Sequence, residues 1–361
     1  MHAGPDPRDP SESAGASRAA DGMVDPAFRG ALSDAVTLYR HMVTLRLVSA
    51  RMVDLQRGEK IAFHTSCLGE EAVIAAAALA ARPNDWVFPG AREWGAALVR
   101  GMPLVNYMHH AFGSRSDATK GHSPPDHPPA RAWRVAPASG VAGAHVPQAV
   151  GAAWAAKIKK DDVAAVAIFG EAATSSGDFH NAVNFAGVFK PAVVFVCRND
   201  GRERFASTRE RAIAYGVASA TVDGSDALAV LTVVRAALAR AAAGKGPTLI
   251  EAITHPIAAG SPALARVPET AWAQGGLELL SLGQEPHADP IAVLRRVLER
   301  EKLAESGADE AIAKDVRAAI DAAVNDAERA GPPATSTIFD DVYAEVPAHL
   351  RAQKESSPWR R

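Results

Sequence analysis

Every position from Val163 to Phe169 is apolar, a run that reads as a β-strand covered on both faces. Gly170 breaks it, with the carboxylate of Glu171 next in line. Phe179, Val183 and Ala186, with Phe189 or Lys190, then recur at helical spacing and predict a helix that Pro191 ends. A second apolar run, Ala192–Cys197, leads to Asn199 and Asp200, and a further strand-like run occupies Thr248–Ile253. Leu38, Met42, Leu45, Met52 and Leu55 form one stripe of a helix that Ser33 caps, that runs to Gln56 and that Gly58 stops. The pattern predicts further helices at Glu70–Ala81, Leu104–Phe112, Pro147–Lys160 and Asp226–Ala243, and reads Pro290–Arg351 as helices packed around the sheet. Strands alternating with helices in this way predict an α/β fold, a parallel sheet with helices on both faces.

That fold brings chemistry together. In a right-handed β-α-β unit the carboxyl ends of both strands open on one crevice, so Glu171 and Asp200 are expected to meet there. Oxygen ligands beside a Gly-rich turn suit a hard cation carrying a phosphate group. On the residues alone, a helix cap and an ordinary turn explain the same pair equally well. The stretches Gly113–Gly140 and His255–Gln284 carry little periodicity, and irregular segments this long inside a domain are usually functional.

Composition narrows the class. A chain of 361 residues, 48% hydrophobic, has enough apolar material for a large core, and residues 29–361 are expected to form one α/β domain with a helical extension. Residues 1–28, rich in Pro, Asp, Ser, Gly and Ala, read as a disordered tail without the apolar centre of a signal peptide. The formal net charge of −2 and the lack of a basic run argue against nucleic acid as a partner. The longest apolar run, Ala72–Ala81, is too short to span a membrane. Cys67 and Cys197 lie on different elements, which suits a reducing, cytoplasmic setting better than a disulfide framework.

The Gly170–Gly201 segment resembles the thiamine diphosphate motif, an acidic residue after Gly followed later by an Asn pair. The chain is most similar to the alpha subunit of the decarboxylating first component of branched-chain 2-oxo acid dehydrogenase complexes. The likeness extends to LGEEAVIAAAALA, WVFPGAREWG, VPQAVGAAWAAK, VDGSDALAV, TLIEAIT and IFDDVYAEVPAHLRAQKES, from about Leu38 to Ser356 in the family's order. It implies a thiamine diphosphate-binding fold and magnesium held by Glu171, Asp200 and the carbonyl of Arg202. It also implies Arg92 and Arg198 on the diphosphate, with Ser139, Gly170 and Ala172 against the cofactor. His127 matches a family histidine in the Gly-rich approach to the Pro137–His145 loop. The implied activity is oxidative decarboxylation of a 2-oxo acid with acyl transfer to the lipoyl domain of a transacylase core. The carboxylate facing the pyrimidine comes from a separate beta subunit in such enzymes, so an α2β2 assembly is expected.

Several positions depart from the family. Asp200 stands where it has Asn, which adds a negative charge beside a diphosphate; Arg202 and Arg204 are available to compensate. Ala91 replaces a Tyr, and Gly260 replaces the acid-base histidine of the family's Gly-His-His-Ser loop. Gly140, Ala144 and His145 replace Ser, Thr and Gln, so no potassium site is expected. Whether His145 or His255 serves for the missing histidine is open at this level. These exchanges also permit a second reading, a divergent or non-catalytic paralogue that keeps the fold and the beta-subunit interface. An unrelated dinucleotide-binding protein is disfavoured, because no G-x-G-x-x-G follows a strand.

Overall fold

A computed structural model of the chain describes residues 30–201, 207–257, 272, 277–281, 288–304 and 307–356. The 1–28 tail, Arg202, Arg204, Gly260 and most of 255–284 lie outside the described residues. Strands β1 (Trp86–Pro89), β2 (Ala165–Gly170), β3 (Val193–Asn199), β4 (Ala218–Asp223) and β5 (Thr248–Ile253) form one 5-stranded sheet in the order β1-β2-β3-β5-β4. All neighbouring pairs are parallel, so the carboxyl ends of all the strands lie along one edge.

The apolar runs split by alternation, as the pleat requires. Val166, Ile168, Val194, Val196, Ile250 and Ala252 join one core with helices α1 (Ala35–Arg57) and α2 (Glu71–Ala80). Ala165, Ala167, Phe169, Val193, Phe195, Cys197 and Leu249 join another with α4 (His145–Lys159) and α5 (Gly177–Phe189), the helix α3 (Leu104–Phe112) lying between α2 and α4 in sequence. The alanine run of α2 is buried on nearly every side, and its small side chains let α2 pack closely on a later helix, Ala227–Ala242. The short α6 (Thr208–Ala214) precedes β4, and α7 is the Ala227–Ala242 helix, whose N-cap Asp226 accepts from the amides of Leu228 and Ala229. Helices α8 (Pro290–Arg300), α9 (Ala308–Ala330) and α10 (Ala348–Ser356) complete the chain.

Several details depart from the pattern-based expectation. Asp34, not Ser33, is the N-cap of α1 and makes no side-chain cap bond, while the Ser33 hydroxyl donates to Gly30 O at 2.8 Å. Phe179, Val183 and Ala186 are buried, but Phe189 and Lys190 are exposed because α5 turns outward at its end. Residues 331–347 carry no α-helix, only a 3-10 turn at Thr335–Phe339, so Pro290–Arg351 is not helical throughout. The edge strands β1 and β4 escape pattern reading: β1 is short and ends at a proline, and β4 is mostly half-exposed. No helix among the described residues is long and apolar enough to cross a membrane.

Charge is buried beneath the sheet edge. Arg46 of α1 grips Glu71 through Nε at 2.8 Å and Nη2 at 3.0 Å, and reaches Asp289 through Nη1 at 2.9 Å. Burial pushes the Glu71 carboxyl up and Arg46 opposes that. Arg46→Met would strand two buried carboxylates and is expected to cost about 3–5 kcal/mol, read by urea denaturation. A second carboxylate, Asp117, organises the start of the irregular 113–140 segment. Burial pushes its pKa up, but bonds from His110, Thr119 and Gly121 outweigh that and hold it at about 2, below the ordinary 3.8. A depressed folded-state value means that this contribution is complete above 3.8 and is lost as pH falls toward about 2. Asp117→Asn is therefore expected to destabilise the protein at pH 7 and to flatten its acid unfolding curve over that window, followed by circular dichroism.

Candidate active site

The site is assembled where β1, β2 and β3 end. Pro89 leads into Gly90 and a 3-10 turn, Ala91–Glu93; Gly170 leads into another, Glu171–Ser175; and β3 ends at Arg198, Asn199 and then Asp200. Gly170 sits opposite Arg198 in the β2–β3 register. Glu70, just ahead of α2, reaches the same place.

Arg198 is the hub. It is 5% exposed, and an isolated buried guanidinium is prohibitively costly without acceptors. Its Nε donates to Glu93 Oε1 at 2.7 Å, its Nη2 donates to the same oxygen, and its Nη1 donates to Glu70 Oε1. The other Glu70 oxygen accepts from Arg92 Nη1 at 3.1 Å. Arg92, Glu70, Arg198 and Glu93 thus form a chain of alternating charge whose formal sum is zero. These bonds impose a backbone requirement at Gly90, where an added Cβ would lie 2.5 Å from Glu93 Oε2. Gly69, just ahead of Glu70, is constrained separately: it has φ +86° and a Cβ there would meet His255 O at 2.6 Å.

Glu171 and Asp200 do meet, their carboxyl groups close enough to share a hydrogen bond. The Glu171 carboxyl is pushed above its ordinary 4.5, first by burial and then by the Asp200 charge, with Arg198 opposing. Two carboxylates crowded in this way suit a cation between them. Among the described residues no third His, Cys, Asp or Glu joins the pair to form a cage. Magnesium is suited to such a sparse set, because it commonly takes one or two carboxylates and completes its shell with phosphate oxygens and water. The Arg202 carbonyl expected as a third ligand lies outside the described residues.

The other expected site residues are less closely joined. Ala172 is exposed beside Glu171, and the half-buried Ser139 accepts the Val141 amide at 3.1 Å. His127 stands outside the hydrogen-bonded cluster: Nδ1 donates to Pro125 O at 2.5 Å, and Nε2 is buried with no hydrogen-bond partner. His145 Nε2 donates to Ile168 O at 3.0 Å and its Nδ1 is buried and unpartnered. Burial holds that imidazole below the usual histidine range. His255 is exposed. In the sequence Glu93 reads only as a surface partner for Arg92 or Arg198, whereas it is buried on Arg198; Glu70 escaped sequence reading, although the adjacent acids in GEEA were a visible signal.

Because the folded-state value of Glu171 is raised, its contribution favours folding at low pH and is lost as pH climbs from 4.5 through that value. Asp200→Asn is expected to return the Glu171 carboxyl toward 4.5 and to raise the melting temperature of the cofactor-free protein at pH 7, a gain that fades near pH 4. Melting curves across pH, with carboxyl NMR titration, measure both.

Comparison with known proteins identifies the family. The family described as dehydrogenase E1 component matches residues 39–261. The 2-oxoisovalerate dehydrogenase subunit alpha of Bacillus subtilis is 33% identical over 323 residues, covering 86% of this chain and 96% of the relative. The 3-methyl-2-oxobutanoate dehydrogenase subunit alpha of Mycobacterium tuberculosis is 36% identical over 334 residues, 88% of this chain and 85% of the relative. A mitochondrial 2-oxoisovalerate dehydrogenase subunit alpha 2 of Arabidopsis thaliana is 32% identical over 333 residues, 89% and 68% of the two chains. With a parallel sheet, paired acids at its strand tips and this extent of likeness, the chain belongs to the dehydrogenase E1 component family.

Proposed function

We propose that Glu171 and Asp200 hold a magnesium ion that anchors the diphosphate of thiamine diphosphate, in the alpha subunit of a branched-chain type 2-oxo acid dehydrogenase. The observation that carries this reading is the convergence of those two carboxylates at the tips of β2 and β3, above the buried Arg198. The enzyme is an oxidoreductase of the thiamine diphosphate-dependent family, and its relatives are dehydrogenase alpha subunits. That shared naming favours a working subunit over a non-catalytic paralogue. When bound, the cofactor supplies the carbanion-stabilising chemistry that decarboxylation of a 2-oxo acid needs.

The chain's own residues would bind and orient. Glu171 and Asp200 offer hard oxygen ligands, with the Arg202 carbonyl as a third and phosphate oxygens completing the shell. Arg92, tethered to Glu70 through one nitrogen and 24% exposed at its side chain, keeps further donors for a phosphate oxygen. Arg198, whose donors are engaged by Glu93 and Glu70, serves as a fixed positive charge behind Gly170. Gly170, Ala172 and Ser139 present small surfaces to the cofactor. His127, with a buried and unpartnered Nε2, is the candidate to hold or move a proton near the reacting end. Alpha subunits of this family work with a beta subunit. An α2β2 assembly, acyl transfer to a lipoyl domain and a cytoplasmic location extend the reading, the last in accord with unpaired buried thiols at Cys67 and Cys197.

Co-purified alpha and beta subunits are expected to bind thiamine diphosphate only with magnesium present, by calorimetry, and to release carbon dioxide from branched 2-oxo acids. Glu171→Gln is expected to weaken magnesium-dependent cofactor binding at least tenfold, a loss of about 1.4 kcal/mol or more. Cofactor binding by Glu171→Gln equal to that of the native pair would remove the magnesium assignment.

A further inference from the structure

Strand β5 reads TLIEAI, and its only charged residue, Glu251, is 3% exposed in the middle of the sheet. It stands in register with Cys197 of β3 and Thr221 of β4. A carboxylate buried there needs donors. Oε1 accepts from Asn199 Nδ2 at 2.8 Å and from the Thr208 amide at 3.2 Å, while Oε2 accepts from the Ser207 hydroxyl at 2.8 Å. Its partners among the described residues are therefore neutral groups on both sides of residues 202–206.

Asn199 passes the constraint on. Its Oδ1 accepts the Gly201 amide at 2.8 Å, and its carbonyl accepts the Thr254 amide at 2.8 Å. An acceptor-only carboxylate at 251 dictates which way the Asn199 amide faces, since Nδ2 must point at Glu251 and Oδ1 is then left for Gly201. The turn through Gly201, with φ +72°, is held from its side-chain end, and Asp200 lies inside that turn.

We propose that Glu251 is the positioning residue of the cation site. By holding Asn199 before the 202–206 segment and Ser207 and Thr208 after it, Glu251 sets the direction of the Asp200 carboxylate toward Glu171. This rests on the reading of Glu171 and Asp200 as cation ligands. Groups that orient a metal ligand from behind commonly matter about 10–100-fold to metal affinity. Glutamine at 251 would either turn a donor toward Asn199 Nδ2 and the Thr208 amide, or keep its oxygen there, reverse the Ser207 hydroxyl to an acceptor and lose the charge that strengthens the Asn199 bond.

The test uses the alpha and beta subunits together, with thiamine diphosphate and Mn2+ as the probe, free Mn2+ being read by electron paramagnetic resonance. Glu251→Gln is expected to weaken Mn2+ binding about 10–100-fold. Adding Asn199→Asp, which exchanges donor for acceptor across the same bond, is expected to recover most of that loss. Unchanged Mn2+ affinity in Glu251→Gln, even with a lowered melting temperature, would reduce Glu251 to a structural role and overturn the proposal. Should Glu251→Gln fail to fold, Asn199→Ala breaks the same link and is expected to show the same loss; native affinity there overturns the proposal as well. Glu171→Gln separates the two levels. If it leaves Mn2+ binding intact, the cation-site reading falls and the proposal with it; if it abolishes binding while Glu251→Gln does not weaken it, the positioning role alone falls.

Discussion

A single guanidinium removed from water governs this molecule's working edge. Arg198 ends a central strand, and no position so enclosed tolerates a cation without carboxylates against it. Glu93 and Glu70 answer that demand from the segment after β1 and from the start of α2. Three pieces of chain that are remote in sequence are thereby pinned to one point. The close approach explains the glycine at position 90, because a methyl group would collide with the Glu93 carboxylate. It also explains why Arg92, held by the same Glu70, lies beside Arg198.

Internal neutrality of that cluster has an electrostatic consequence. Arg92 and Arg198 are matched by Glu70 and Glu93, so that cluster carries no net charge toward the facing carboxyls of Glu171 and Asp200. At an effective dielectric of about 20, two carboxylates about 4 Å apart repel by about 4 kcal/mol, an upper-range figure that solvent at a half-open site reduces. A divalent cation relieves that repulsion and converts it into attraction for a diphosphate. On the proposed reading, the departure from Asn to Asp at position 200 strengthens the preference for metal while it makes the metal-free site less comfortable. Glu71 performs a different task although it neighbours Glu70: it turns to Arg46, and α2 is fastened at its first turn to networks on two sides.

The sheet order decides which residues can cooperate. Because β5, and not β4, is the strand next to β3, Glu251 reaches Asn199 across one strand spacing, and the Thr254 amide reaches the Asn199 carbonyl. The proposed cation ligands and the residue proposed to aim one of them thus come from strands far apart in the chain. His127 and His145 remain outside this arrangement, each with one buried nitrogen lacking a partner.

The sequence by itself determined the layers and the edge on which chemistry would gather. The apolar runs that form β2 and lead through β3 could only be covered on both faces, and parallel strands joined by helices must expose their carboxyl ends together. That rule placed Glu171 and Asp200 on one crevice, and the family likeness gave the pair its reading as cation ligands and added Arg92 and Arg198. Edge strands β1 and β4, the true cap of α1 and the outward turn at Phe189 were not legible, because short or half-exposed segments leave little periodic signal. Only the tertiary structure decided who neutralises whom. Pairing Arg198 with Glu93 and Glu70, Arg46 with Glu71 and Asp289, and Asn199 with Glu251 depends on which strand tips become neighbours. Burial forces a charge to find a partner, but the identity of that partner is a matter of three-dimensional proximity that spacing along a chain does not encode.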